Sequence, residues 1–439
     1  MGSNARKALI EKIEKERGSK VICFLTSVRP GVPGVIAGDQ VRVFFDHLLL
    51  FKDRPVEKLD IFLCSNGGES TVPWRLVALF REFCKSYCVL IPYRAYSAAT
   101  LLTLGADEIV MHPFAELGPI DPNVSNEFNP KVDGQRIGIN VEDVTAYINF
   151  IKSTCGITHE DELIKAIEAL TKEVNPLALG NVERFIMQSR MIARKIMKTH
   201  MKESDDHSLD EIIETMASKL YFHGHPINRV EARNDLKLKV AQNVKPEFES
   251  LMWELYKDFE IEFNNVNTFN PAADLIVAQD LAAKTIAEKL RLLNDANAAL
   301  SQAKADAQTL ASKVPALHQK ANTLAQVAQA DPGKVALAQE AQQQAIDADN
   351  RAGEAASIVP ERQAAVEIAT GKLNLAQQEL QLTPTEKSYE LCHAMIESLN
   401  LSSKMTTTRR YKLTQAPVQF SIHEDVQGQG WIHSPAAKA

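Results

Sequence analysis

The stretch that decides the fold is "YRAYSAATLLTLGADEIVMHP", residues 93–113. It passes from an aromatic, polar turn into an apolar run, and then through Gly105 into "DEIVM". The small and apolar residues from Ser97 to Gly105 predict a short buried helix, and "DEIVM" predicts a strand. Ser97 opens that helix. A serine in this place is ordinarily an N-cap, its hydroxyl accepting a hydrogen bond from a backbone N–H of the first turn. A strand-to-helix junction is also where a nucleophilic serine is presented.

Working outward, "SKVICFLTS", "KLDIFLCS" and "YCVLIP" are apolar runs of strand length. Between them, "GDQVRVFFDHLLLFKD" and "TVPWRLVALFREFCKS" carry helical spacing, with Asp39 the expected cap of the first and Pro73 in the first turn of the second. Strands alternating with helices predict a parallel sheet with helical crossovers. In such folds sites form beyond the strand ends. The strand before the one that leads to Ser97 ends in "FLCSNGGES", residues 62–70. Gly67 and Gly68 there let the backbone approach a ligand closely and turn its N–H groups outward. N–H donors at one strand end and a hydroxyl at the next place a nucleophile beside an oxyanion hole, the arrangement that acyl transfer needs.

These residues resemble the SDH (serine dehydrogenase proteinase) family, a branch of the Clp/crotonase fold related to signal peptide peptidase A. The carriers are the opening "IEKIEKERGSKVICFLTS", the turn "DIFLCSNGGES", and above all "AYSAATLLTLGADEIVMHPFAELGPIDP". "NPLALGNVERFIMQSRMIARKIM" and "LYFHGHPINRVEARNDLKLKV" are similar to later family elements, so the resemblance covers residues 4 to about 260. Two positions depart from the family pattern. Asn66 stands where the family turn has proline, and Ala99 stands where it has glycine.

The resemblance implies a serine peptidase with Ser97 as nucleophile and an oxyanion hole built from Gly67, Gly68 and Ala98. It also poses the question of the base, because a free serine hydroxyl needs a proton acceptor. The histidine of the Clp proteolytic subunit has Ile120 in its place here, and His112 falls earlier, on the strand after the helix. Signal peptide peptidase A uses a lysine shortly before its next long helix. "LTKEVNPLALGNVERF" has that character, which singles out Lys172, with Lys152, Lys195 and Lys198 as rivals. A lysine serves as base only where desolvation or a neighbouring positive charge favours its neutral form. His223 and His225 are spaced like metal ligands, but no further ligand type stands near them, and a structural turn is expected rather than a metal site. Asp121 in "GPIDP" is expected to cap a turn.

The whole-chain numbers bound the partners. The chain has 439 residues, 45% hydrophobic, with 49 Lys+Arg against 56 Asp+Glu and a formal charge of −7. That balance argues against a nucleic-acid surface. Six scattered cysteines, with Cys84 and Cys88 the nearest pair, read as reduced thiols of a cytoplasmic protein. No run reaches the roughly 18 apolar residues of a spanning helix, and the charged N-terminus lacks the apolar centre of a secretory signal.

The expected architecture is therefore α/β, a Clp/crotonase-like stacked βαβ core over 1–265. A long Ala/Gln-rich, coiled-coil-like helical arm follows over 270–386, then a small C-terminal α/β segment and tail over 387–439. Within the arm, breaks are expected at Pro315, at "ADPGK" (330–334) and at Pro360. The last segment is expected to begin with a helix in "EKSYELCHAMIESLN" and then turn strand-like. The expected function is an ATP-independent serine peptidase with a Ser97–Lys172 dyad. It would need no cofactor, cleave a peptide or protein substrate, assemble as a homo-oligomer and offer the arm to a protein partner. The alternative is a catalytically weak or inactive scaffold of the same fold, acting through oligomerisation and the arm. An acyl-CoA enzyme of the crotonase type shares the oxyanion logic but lacks its signature here.

Overall fold

A computed structural model describes residues 3–120, 123–124, 127–132, 135–136, 139–201, 206–219, 224–382, 385–415 and 420–435. The chain divides into two compact units. The first comprises residues 1–269, 389–409 and 426–439, and the second comprises 270–388 and 410–425.

The first unit starts with α1 (Ser3–Arg17), β1 (Lys20–Thr26), α2 (Gln40–Leu49), β2 (Val56–Cys64), α3 (Val72–Phe83) and β3 (Cys84–Ile91). It continues with β4 (Arg94–Ala95), α4 (Ala98–Leu104), β5 (Glu108–Met111) and β6 (Glu116–Leu117). Short strands β7 (Asn123–Val124), β8 (Lys131–Val132), β9 (Gln135–Arg136) and β10 (Ile139–Asn140) lead to α5 (Val141–Asn149). Then come α6 (Glu160–Glu173), α7 (Pro176–Met197), α8 (Asp206–Glu214), β11 (Ile227–Asn228), α9 (Arg229–Asn234) and α10 (Pro246–Phe263).

β1, β2, β3 and β5 pair in parallel in that order, as the alternation of strand and helix predicts. Their apolar runs are continuous because both faces of the sheet are covered. Ile22, Phe24, Ile61, Leu63, Val89 and Ile91 point into a cluster completed by residues of α2, α3, α4 and α7. The intervening Val21, Cys23, Leu25, Phe62, Cys64 and Leu90 point into a second cluster with Ile10 and Ile13 of α1 and Met252, Leu255 and Phe259 of α10. All six cysteines are free, Cys155 among them exposed, while burial pushes the Cys64 and Cys84 thiols up to about 12. That is the behaviour of packing residues rather than reactive ones.

The sheet does not end at β1. β12 (Glu386–Glu397), β13 (Leu401–Gln415) and β14 (Phe420–Pro435) extend it in the order β14-β13-β12-β1-β2-β3-β5. β12 runs antiparallel to β1, with Cys23 opposite Glu397 and Thr26 opposite Ala394. The helix expected over "EKSYELCHAMIESLN" is thus a strand and a turn. The open edge of β1 offers backbone hydrogen-bonding partners to the end of β12, and that tertiary gain outweighs a local helical preference. A buried ionic cluster fixes the same junction. The Arg6 guanidinium of α1 donates to Asp258 at 2.7 Å, to Glu397 at 3.3 Å and to Glu262 at 3.3 Å.

Asp39 holds the N-cap position of α2 but makes no capping bond with its side chain. Its carboxylate instead accepts the Trp431 indole N–H at 2.7 Å. On the same helix, His47 is fully buried between the Ser398 hydroxyl at 2.9 Å and the Ser403 hydroxyl at 3.1 Å.

The second unit is built on α11 (Pro271–Ala330) and α12 (Val335–Leu382), folded back on each other through a 3-10 turn at Pro332–Lys334. The turn expected in "ADPGK" is there, and Asp331 closes it by accepting the Gly333 N–H at 3.0 Å. The breaks expected at Pro315 and Pro360 are not, because both prolines lie inside continuous helix. Each removes one backbone hydrogen bond, but the long runs of Ala, Gln and Glu around them keep the helix going. The seam is lined by small residues, with Ala321, Ala341 and Ala345 buried beside Leu317 and Leu324. His318 and Asp349 bridge the two helices at 2.6 Å.

Buried histidines make the fold acid-sensitive. Burial, with the neighbouring His433 second, holds His47 down to about 4, and burial, with Lys239 second, holds His200 down to about 4. The unfolded chain, with ordinary histidines near 6.5, binds more protons than the folded one between these values. Their contribution to stability is therefore complete above about pH 6.5 and is lost as the pH falls toward 4, on the order of 3 kcal/mol for the fully buried His47. Thermal melts between pH 7.5 and pH 4.5 should show this loss, and His47→Gln should flatten the slope. An unchanged slope in that variant would exclude His47 as its source.

Candidate active site

The site begins with the way two strand ends are tied together. Ser65, just past β2, donates its N–H to the Arg94 carbonyl at 2.9 Å and accepts the Tyr96 N–H at 3.0 Å, so Ser65 and Ala95 pair as a parallel bridge. The Ser65 hydroxyl is fully buried. It receives a hydrogen bond from Thr26 Oγ1 at 2.7 Å and one from the Gly67 N–H at 3.1 Å. A second short pairing continues from there. The Ile36 N–H donates to the Gly67 carbonyl and the Glu69 N–H to the Ile36 carbonyl, both at 2.8 Å. These bonds leave the Gly68 N–H on the side away from Ile36.

Gly67 and Gly68 have φ of 101° and 155°. Their missing side chains matter as much as their backbone angles. A Cβ on Gly67 would stand 2.7 Å from the Tyr96 carbonyl oxygen, 2.8 Å from Ser97 Cβ and 3.1 Å from the Ala98 nitrogen. One on Gly68 would stand 2.2 Å from the Ile36 carbonyl oxygen. Only glycine allows the turn to lie directly against Ser97.

Ser97 occupies the N-cap position of α4 but makes no capping hydrogen bond. Its φ is 52° and its ψ is −114°, outside the conformations that residues with a side chain ordinarily adopt. The bland reading of Ser97 as a helix cap therefore fails. Such backbone strain, of about 1–3 kcal/mol, persists only where the surroundings impose it, and it clusters at functional positions. Here α4 is buried along its whole length and cannot shift to relieve it.

The structure thus brings together Ser97, Ala98, Gly67 and Gly68. Among the described residues the N–H groups of Gly68 and Ala98 have no hydrogen-bond partner, whereas the Gly67 N–H is taken by Ser65. Gly67 contributes the close approach rather than a donor. Asn66 is exposed at the outer side of the turn. The Ala99 methyl lies in the hydrophobic core and its N–H donates to the Tyr96 carbonyl at 2.9 Å. Ala99 therefore departs from the family pattern on the core side of the helix.

The expected base makes no hydrogen bond with Ser97. Lys172 lies in the last turn of α6, exposed, and makes no hydrogen bond or ion pair with Ser97 or with any other described residue. Of its rivals, Lys152 is exposed and the Lys195 ammonium stands 5.9 Å from the centre of the Trp74 ring. His112 accepts the Phe114 N–H at 3.1 Å and stacks on Trp253 at 5.3 Å, and burial holds it below the usual histidine range. His225 pairs with Glu231 at 2.9 Å, while His223 and Asp121 lie outside the described residues. No group of three or more His, Cys, Asp or Glu side chains able to hold a metal ion occurs among the described residues.

Sequence reasoning missed Ser65, Ile36, Tyr96 and Glu116 as parts of the site. The Tyr96 hydroxyl donates to Glu116 at 2.6 Å, and Arg94 stands 3.6 Å from the same carboxylate. Burial, then Glu116, pushes the Tyr96 phenol above its usual range. Nothing in the local pattern of "GVIAG" or "FAELG" signals these partners, which meet only through the fold.

Residues 2–145 match the family described as ClpP-like SDH-type serine proteinase. The resemblance read from the sequence is thus shown over that part of the chain, and with it the Clp-like α/β core. Two proteins of Methanocaldococcus jannaschii are similar. Uncharacterized protein MJ1495 is 23% identical over 56% of this chain and 75% of its own length. Uncharacterized protein MJ0137 is 24% identical over 47% of this chain and 60% of its own length. Among solved structures, a mutant of the 1510-N membrane-bound stomatin-specific protease is 14% identical, covers 53% of this chain and 84% of that one, and aligns with a TM-score of 0.30. A second mutant of it, in complex with a substrate peptide, is 20% identical, covers 31% and 58%, and aligns with a TM-score of 0.22. No helix among the described residues is long and apolar enough to cross a membrane.

The strain at Ser97 predicts an unusual ranking of variants. Ser97→Gly should be more stable than Ser97→Ala by about 1 kcal/mol, because glycine adopts a positive φ without steric cost. Both variants lack the hydroxyl, so the difference isolates the backbone. Denaturant titration reads it, and equal stabilities would show that the turn is unstrained.

Proposed function

We propose that the chain is a serine peptidase in which Ser97 is the nucleophile, Gly68 and Ala98 form the oxyanion hole over the floor made by Gly67, and Lys172 is the base. The observation that carries the reading is the approach of the Gly67 turn to a serine held at φ 52°. The Ser97 hydroxyl attacks the carbonyl carbon of a peptide bond, and its proton passes to the Lys172 amine. The carbonyl oxygen becomes an oxyanion, which the two free N–H groups receive. The intermediate collapses, the C–N bond breaks, and the ammonium returns its proton to the leaving amine. Water then repeats the sequence on the acyl-enzyme and releases the acid.

The exposure of Lys172 favours the second reading, a scaffold of the same fold with weak or no catalysis. It also ties catalysis to assembly. Ile164 and Ile167 on α6 and Leu177, Met187 and Met191 on α7 are exposed apolar side chains. Further copies of this chain packed on them would exclude water from the helices that flank Lys172. A homo-oligomer acting on peptides or proteins in the cytoplasm, with residues 270–386 free to engage a protein partner, is the complete form of the proposal.

A fluorophosphonate probe should label the wild-type protein. Ser97→Ala should label at least about a thousandfold more slowly, and equal labelling would end the assignment. Lys172→Arg should lower the rate about 10²–10⁴-fold with the fold intact, since a guanidinium does not give up its proton. Normal labelling in Lys172→Arg together with loss in Lys152→Arg or Lys195→Arg would move the base and leave Ser97 in place.

A further inference from the structure

We infer that Tyr96 and Glu116 act as a positioning pair, holding the Ser97 turn from the side of β6 and so setting the direction of the Ser97 hydroxyl. The inference rests on the peptidase reading and concerns its rate, not its nucleophile.

β4 lies between two neighbours. Toward β2, Arg94 and Tyr96 bond to Ser65 through their backbones. Toward β6, Arg94 stands opposite Glu116 and Ala95 opposite Leu117 in parallel register. The Glu116 N–H donates to the Tyr93 carbonyl at 2.7 Å, and the Gly118 N–H to the Ala95 carbonyl at 3.2 Å. Thr100 completes the clasp, its single hydroxyl proton lying between the Ala95 carbonyl at 2.7 Å and the Gly118 carbonyl at 2.8 Å.

Tyr96 is the last residue before the nucleophile and takes part on both sides. Its carbonyl faces Gly67 and accepts the Ala99 N–H. Its ring lies on Gly118 so closely that a Cβ there would stand 2.8 Å from the ring edge. Its hydroxyl reaches Glu116 Oε1 at 2.6 Å. A short bond from a phenol to a carboxylate is stronger than one between neutral groups. Arg94 holds the acceptor in place from 3.6 Å, and its guanidinium lies 5.5 Å from the centre of the Tyr96 ring. A residue fixed at carbonyl, ring and hydroxyl cannot rotate, and Ser97, covalently next to it, is held in a conformation it would otherwise leave. Neither side chain hydrogen-bonds to Gly68, Ala98 or Ser97, so the pair acts through the backbone of Tyr96 rather than on substrate.

The test uses the full-length protein and four variants, Tyr96→Phe, Glu116→Ala, Glu116→Gln and the Tyr96→Phe/Glu116→Ala double. Two quantities are read, the saturation kinetics of fluorophosphonate labelling and the hydrogen exchange of backbone amides over residues 93–105. Tyr96→Phe and Glu116→Ala should each lower the limiting rate of labelling about tenfold, the value of one charge-assisted hydrogen bond, with the probe's half-saturating concentration unchanged. The double variant should be no slower than either single one. Glu116→Gln keeps an acceptor for the phenol and should recover most of the rate. Exchange at Tyr96 and Ala99 should quicken in Tyr96→Phe and Glu116→Ala alike. Labelling of Tyr96→Phe at the wild-type rate, or additive losses in the double variant, would overturn the pair. If the wild type itself takes no label, the peptidase reading falls. Exchange then decides alone, with faster exchange in both single variants supporting the pair and unchanged exchange overturning it.

Discussion

Everything at the site depends on how closely the backbone of Gly67 approaches Ser97. At that separation no side chain fits between the end of β2 and the start of α4. The approach is enforced from below by the buried Ser65, which bonds to Arg94 and Tyr96 through its backbone and to Gly67 through its hydroxyl. It is enforced from the outer side by Ile36, which pairs across Gly68. The turn is thus fixed on two sides, and Ser97 absorbs the resulting strain in its own backbone. A serine free to cap its helix would have turned its hydroxyl back to the chain. This one is denied that partner, which leaves the hydroxyl for another purpose.

Much of this was legible in the sequence, and the physical reason is the sheet. Strands buried on both faces cannot avoid being apolar at every position, so "KVICFLT", "DIFLC" and "CVLI" announce themselves and so does their parallel pairing. The glycine turn and Ser97 were legible because each stands at the end of such a strand. What was not legible is whatever depends on distant chain. Asp39 looks like a cap in its own segment, yet its partner is Trp431. Residues 387–397 have helical composition but lie in β12, whose end, residues 394–397, pairs with β1. Pro315 and Pro360 read as helix breakers, and the long helices around them run on. The base is the remaining case. A lysine can be chosen by motif, but what shields it from water is set by packing, and α6 leaves Lys172 exposed in the single chain.

The polar groups of the interior are sorted in the same spirit. Arg6 sits almost without solvent among Asp258, Glu262 and Glu397, three carboxylates drawn from α10 and β12. Removing any one partner would leave charge stranded, which is far more costly than the intact cluster is favourable. Its effect is selective. Only one register of β12 against β1 brings Glu397 to Arg6. His47 serves the same segment differently, holding Ser398 and Ser403 through a neutral ring. One junction is thus secured by charges that must be present and by a ring that must be uncharged.

The pairing of β1 with β12 carries a consequence for the life of the chain on the ribosome. β1 (Lys20–Thr26) is made long before its neighbour β12 (Glu386–Glu397), so at about 5–20 residues per second the edge stands open for on the order of tens of seconds. An uncovered edge strand is a template for pairing with the wrong chain. The long helices lessen the delay that follows synthesis. α11 and α12 fold back through a tight turn and differ in length by about three turns, so the hairpin returns the chain to within about 18 Å, measured along its axis, of where it departed. Helices form in microseconds. Once both are made, the flexible loop that β12 must close shrinks from the whole arm to its few non-helical residues, and the entropic cost of closure shrinks with it. A nascent protein of this design leaves its sheet edge unguarded while the arm is being synthesised, and then uses the finished arm to deliver the missing strand.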